Sequence, residues 1–178
     1  MQILNRYFAP FALLLILSAI CFTVENPMDV AHWDSSYKLA FGILALSAAV
    51  NWWFSANTYH FIHWARALRQ LQIWLNFVWA VPLFWLLQPY WAPVWLLFVM
   101  APSTAALYSS RRETLLTAAV SSASMLAIYY KRGVFDGGLG PAGGMAIVHA
   151  VFILVLSMFI HGLAQTALRL RDASLPRV

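Results

Sequence analysis

The chain has 178 residues, 62% of them hydrophobic and only 10% charged, with a net charge of +5 and a mean hydropathy of +0.72. A soluble domain carries about a quarter of its residues as charges, so this composition excludes an ordinary water-facing surface and predicts a chain that faces lipid. The basic residues sit between apolar runs and not in one patch, which is a topology pattern and not a nucleic-acid footprint.

A membrane-spanning helix needs about 20 mostly apolar residues. Six runs meet that need, over residues 7–24, 39–59, 71–88, 91–108, 114–130 and 145–168. The reading is all-α: one transmembrane domain, a polytopic bundle of six helices. The first run follows Arg6 and is read as an uncleaved helix, because no small-x-small cleavage site follows it. Leu17-Ser18-Ala19-Ile20-Cys21 approaches a lipoprotein box but places Ile20 where a small residue is required. Cys21 is the single cysteine, so it builds no internal disulfide and no cysteine metal site.

The second run carries Trp52 and Trp53 and ends in His60-Phe61-Ile62-His63, whose spacing puts both histidines on one helical face. The third contains Asn76, Trp79 and Pro82, and the fourth Pro93 and Pro102. Pro82 and Pro102 are candidates for bends around a cavity. The fifth places Thr117, Ser121, Ser122 and Ser124 among alanines, a composition suited to close helix packing or to lining a polar site. Before the sixth comes Gly138-Leu139-Gly140-Pro141-Ala142-Gly143, a formal dinucleotide fingerprint without the βαβ setting that gives it meaning. It is read as a flexible connector. The sixth run holds His149 and His161, about 18 Å apart along a helix and so unable to share one metal or haem iron.

Arg6, Arg66, Arg69, Arg111, Arg112, Arg169, Arg171 and Arg177 fall on one side of these spans, and Lys38, Lys131 and Arg132 on the other. Eight against three makes the first side cytoplasmic, with both termini there and the protein in a bacterial inner membrane. Trp33, Trp85, Trp91 and Trp95 fall at the outer boundary and Trp64 and Trp74 at the inner one, where indoles anchor helices.

No Asp, Glu, Lys or Arg lies near the middle of any run. Ion-coupled transporters keep such groups inside the membrane, so that class is disfavoured. No carboxylate pair, nucleophile–base spacing or metal-ligand cluster is present in the sequence, and the chain is read as non-catalytic with no metal. The ligand-lining candidates are Trp52, Trp53, Asn76 and Trp79. His60, His63 and His161 are candidates for touching a cofactor, the inner-side pairing being His161 with His60 or His63. The sequence requires no cofactor, and haem or pigment enters only through partners.

Arg66-Ala67-Leu68-Arg69-Gln70-Leu71-Gln72 leads into the third run, Ala101-Pro102-Ser103-Thr104-Ala105-Ala106-Leu107-Tyr108 closes the fourth, Arg111-Arg112 opens the fifth, and Arg169-Leu170-Arg171 closes the sixth. This layout, over residues 66–171, resembles the six-helix membrane sensor region of bacterial histidine kinases of the pilus-regulating type. Asn76 stands where such kinases often carry an acidic residue, and seven residues follow Arg171. The resemblance implies a sensor-like bundle, here without an output domain, that acts through a protein partner. Two other classes fit the same features: an accessory subunit of a larger respiratory or photosynthetic membrane complex, and the substrate-binding component of a vitamin transporter. The expected partners are the lipid bilayer and a membrane protein or complex, with no nucleic acid.

Overall fold

The computed structural model describes Leu14, Ser18 and residues 34–57, 65–89 and 92–174. Every regular element among them is helical. The expected first span lies outside the described residues, apart from Leu14 and Ser18, both helical. The chain divides into two compact units, one ending at Trp95 and the other beginning at Leu96.

The first unit pairs α1 (Ser35–Asn57) with α2 (Ala65–Leu87). Asp34 starts α1: its carboxylate accepts from the Ser35 N–H at 2.7 Å, and its carbonyl accepts from Tyr37 and Lys38. A negative charge at this point also complements the helix dipole. Helix α2 begins six residues earlier than the apolar run predicts, because Ala65-Arg66-Ala67-Leu68-Arg69-Gln70 are helix formers that need no apolar contact. It runs through Pro82 as one element. Its buried residues include the bulky Ile73, Leu83, Phe84 and Leu87, and those of α1 include Leu44 and Phe54.

The second unit holds three helices, each packed against the other two: α3 (Leu97–Tyr108), α4 (Arg111–Lys131) and α5 (Pro141–Ser174). A 3₁₀ segment, Ala92–Leu96, leads into α3. It contains Pro93, which tolerates a first turn because no helical donor is needed there. The expected fourth span therefore enters as 3₁₀ and continues as α-helix.

Helix α4 opens with a capping box. The Ser110 hydroxyl accepts from the Glu113 N–H, and the Glu113 carboxylate accepts from the Ser110 N–H at 3.0 Å. It closes with a Schellman motif around Gly133 (φ 72°), in which the Gly133 N–H donates to the Tyr130 carbonyl at 3.0 Å and the Val134 N–H to the Tyr129 carbonyl at 3.1 Å. A Cβ on Gly133 would stand 2.5 Å from the Asp136 carboxylate.

The glycine segment is thus an ordered turn, not the flexible connector expected from its composition. It is laced by successive backbone bonds from Asp136, Gly138 and Gly140. Helix α5 starts at Pro141, four residues before the predicted span, because proline is preorganised for a first helical position. Gly143 lies inside this helix, and a Cβ there would press to 3.1 Å from the Phe135 ring.

Among the described residues two helices are long and apolar enough to cross a membrane, over Gln70–Leu87 and Pro141–Leu170; Pro93–Tyr108 is a shorter apolar helix.

Candidate functional site

The interior of the second unit is small and hydroxylated. Helix α3 buries Ala101, Pro102, Ser103, Thr104, Ala105 and Ala106 in an unbroken run. Helix α4 buries Thr114, Ala118, Ser121, Ser122, Met125, Ile128 and Tyr129, and turns Leu115, Leu116, Val120 and Tyr130 outward. Helix α5 buries Ala146, Ala150, Ile153, Ser157 and His161, and exposes Val148, Phe152, Val155 and Phe159. In water this distribution would be inverted, since large apolar side chains gain most from burial. In lipid it is the expected one: small residues let backbones approach, and large ones meet acyl chains.

Several hydroxyls of this unit bond backbone carbonyls, mostly their own helix's. Thr104 donates to the Met100 carbonyl at 2.8 Å, Thr114 to Ser110 at 3.1 Å, Ser157 to Ile153 and Thr117 to Glu113. The bonds of Ser122 and His161 cross between helices. The Ser122 hydroxyl donates to the Ala150 carbonyl at 3.0 Å, tying the middle of α4 to the middle of α5. His161 places Nδ1 3.1 Å from the Ala106 carbonyl. A carbonyl only accepts, so this bond requires the proton on Nδ1. Ala106 lies in the last turn of α3, where carbonyls lack helical partners, so His161 caps α3 from α5.

Among the described residues, the Ser121 hydroxyl and the Trp79 indole nitrogen are buried without a hydrogen-bond partner. Ser121 is fully buried. Leaving such a group unpaired costs about 1–3 kcal/mol.

The ligand-lining candidates separate into two kinds. Trp52 and Trp53 face outward from α1, with Trp52 71% exposed. Asn76 and Trp79 are partly buried on α2, and their spacing puts them on one face. Of the cofactor candidates, His161 is buried against Ala106, while His60 and His63 lie outside the described residues. Among the described residues no three His, Cys, Asp or Glu side chains come together to hold a metal ion.

Sequence reasoning missed the capping box, although Ser110-Arg111-Arg112-Glu113 carries its signature directly. It also missed the cap that His161 supplies to α3, which no local pattern encodes. No protein-family model, curated protein or solved structure matches this chain.

Proposed function

We propose that this is a non-catalytic inner-membrane protein of six spans, with both termini cytoplasmic, whose bundle acts through a protein partner in the manner of a sensor region. The inside-out second unit carries this reading. Its interior is arranged for helices to approach one another, with the Ser122 hydroxyl and His161 bonded to backbone carbonyls of neighbouring helices. Small-residue interfaces of this kind let helices shift relative to one another at low steric cost, which is what a signal-responsive bundle requires.

The test is isolation of the tagged protein from its native membrane in mild detergent, paired with transcript profiling of a deletion strain. Stoichiometric recovery of a kinase or response regulator, with altered transcription on deletion, supports the reading. Recovery as a free monomer with unchanged transcription rejects it.

The exposed indoles of the first unit favour a second reading, an accessory subunit of a larger energy-transducing complex. Trp52, Trp53, Trp74 and Trp85 are all outward-facing, and aromatic side chains are the strongest anchors at subunit interfaces. Co-purification with respiratory or photosynthetic subunits would select it. An absorption spectrum of the same sample reports any haem or pigment that a partner brings.

A further inference from the structure

Ser121 departs from the habit of the hydroxyls around it. Thr104, Thr114, Thr117, Ser157 and Thr166 each donate to the carbonyl one helical turn before their own residue. Ser121 has the Thr117 carbonyl in the equivalent place and does not use it. Its hydroxyl is buried without a protein partner, on a residue with no exposed surface. It stands on the face of α4 that packs against α3 and α5: Thr114, Ala118 and Met125, at helical spacing to either side, are fully buried with it.

Two registers put the same stretch of α3 opposite Ser121. The first is the α3–α4 hairpin, which turns between Tyr108 and Arg111. Counting equally in both directions from that turn brings Ser121 level with Phe98. The cross-helix bonds give the second. Ser122 meets Ala150 on α5, and His161 of α5 meets Ala106 on α3. Stepping back along α3 from Ala106 by the interval between His161 and Ala150 brings Ser121 level with Leu96, about 3 Å along the axis from Phe98. Phe98 lies one helical turn before Pro102, and both are buried. An ordinary residue at 102 would donate its N–H to the Phe98 carbonyl; proline has none, and its ring pushes that carbonyl away from the helix axis. Because Phe98 and Pro102 both face inward, the opening lies on the inner side of α3. A carbonyl has two acceptor sites, so that of Phe98 can take a further donor whatever else it bonds.

We propose that this level of the second unit is a binding site for one internal water molecule, which accepts from the Ser121 hydroxyl and donates to the Phe98 carbonyl across the α3–α4 contact. Water is the ligand that these two groups select. Both are neutral, and a hard cation takes about six oxygen ligands or more. Internal water settles against buried polar groups that the fold leaves unmatched, and about two to four of them hold it. Serine hydroxyls and ordered waters are also what restores the backbone bonding that a proline removes from a membrane helix. The site makes Pro102 a wet hinge: the water can follow the Phe98 carbonyl as α3 bends, where a direct serine bond would fix the distance between the two helices. This inference stands apart from the sensor reading and holds whether or not the chain acts through a partner.

The test is water-edited solid-state NMR of the full ¹³C-labelled chain in lipid vesicles, which follows polarisation as it passes from water protons to individual carbons. Early transfer is expected at the Ser121 Cβ and at the Phe98 carbonyl carbon. Late transfer is expected at the Ser157 Cβ, because Ser157 is as deeply buried but bonds the Ile153 carbonyl of its own helix. Pro102→Ala returns an N–H to the Phe98 carbonyl and is expected to lose the early transfer at Ser121. Ser121→Ala is expected to lose the early transfer at the Phe98 carbonyl carbon. The freedom that the released water regains offsets the bonds it made, so Ser121→Ala is read by water contact and not by stability.

Early transfer at Ser121 and Phe98, late transfer at Ser157 and loss in the variants support the site. Late transfer at Ser121 in the wild type overturns it, because the seam is then dry there. Early transfer at Ser121 and Ser157 alike overturns it too, because water then follows the whole seam. Early transfer at Ser121 that persists in Pro102→Ala, or at Phe98 in Ser121→Ala, overturns the bridge. The two variants probe that bridge from opposite sides, so either decides it if the other does not fold.

Discussion

The two units of this chain use the same apolar alphabet in opposite ways. On α1 and α2 the buried positions include Leu44, Phe54, Leu83, Phe84 and Leu87, large side chains that fill space. On α3, α4 and α5 they are mostly alanine, serine and threonine, with Phe98, Met125 and Ile153 among the larger exceptions, and many large side chains face outward. The first arrangement gains dispersion contacts from bulk. The second gains them from close backbone approach and from bonds such as Ser122 to Ala150. The lesson is that hydropathy locates helices in both units but does not say which residues hold them together.

Substitutions that exchange one packing mode for the other break this comparison most sharply. Phe84→Ala in the first unit removes a fully buried ring and is expected to destabilise by about 3 kcal/mol, read as the unfolding midpoint in mixed micelles. Ala118→Leu in the second unit forces bulk into a fully buried small-residue position and is expected to cost about 1–3 kcal/mol. If Ala118→Leu were neutral, the close approach of the three helices would be wrong. Ser122→Ala, which removes the α4–α5 bond, is expected to cost about 0.6 kcal/mol, the usual worth of an interhelical hydrogen bond in a membrane. A Ser122→Ala and Ser157→Ala pair of measurements sharpens this, because Ser157 bonds its own helix and its removal should not loosen α4 from α5. The smallest effect is expected for Ser121→Ala: its hydroxyl is buried without a partner, so its loss should be neutral or slightly stabilising in the same assay.

The helical class was legible from composition, and each described helix overlaps the run that predicted it. The ends were less legible, for reasons that differ from helix to helix. Ala65–Gln70 and Arg169–Ser174 are helical without being apolar, so a hydropathy reading stops short of them. Pro141 reads as a breaker by composition but acts as a helix starter by position. The glycine turn is ordered because Gly133 and Gly138 take positive φ values, 72° and 85°, that most other residues would resist.

The candidate site was legible only in part. The serines of the fifth run pointed to a packing seam, and Ser122 forms one. The role of His161 depends on Ala106, 55 positions away, and no spacing rule reaches that far. Trp52 and Trp53 illustrate the opposite difficulty. Their depth in the run suggested a lining; depth along a helix does not say which way a side chain faces, and exposure of both indoles is a fact only the fold supplies.

The central claim is that the chain crosses the membrane so that the α3–α4 connection and the α4–α5 turn lie on opposite sides. The most direct measurement is labelling by a membrane-impermeant maleimide in a Cys21→Ala background, with one cysteine at Arg112 and, in a second variant, one at Gly137. Arg112 is exposed, and Gly137 has open space where a side chain would be added. The account predicts that Gly137→Cys is labelled in spheroplasts, and Arg112→Cys only in inverted vesicles or after permeabilisation. Labelling of both from the same side, or release of the protein from membranes by alkaline carbonate, would contradict it.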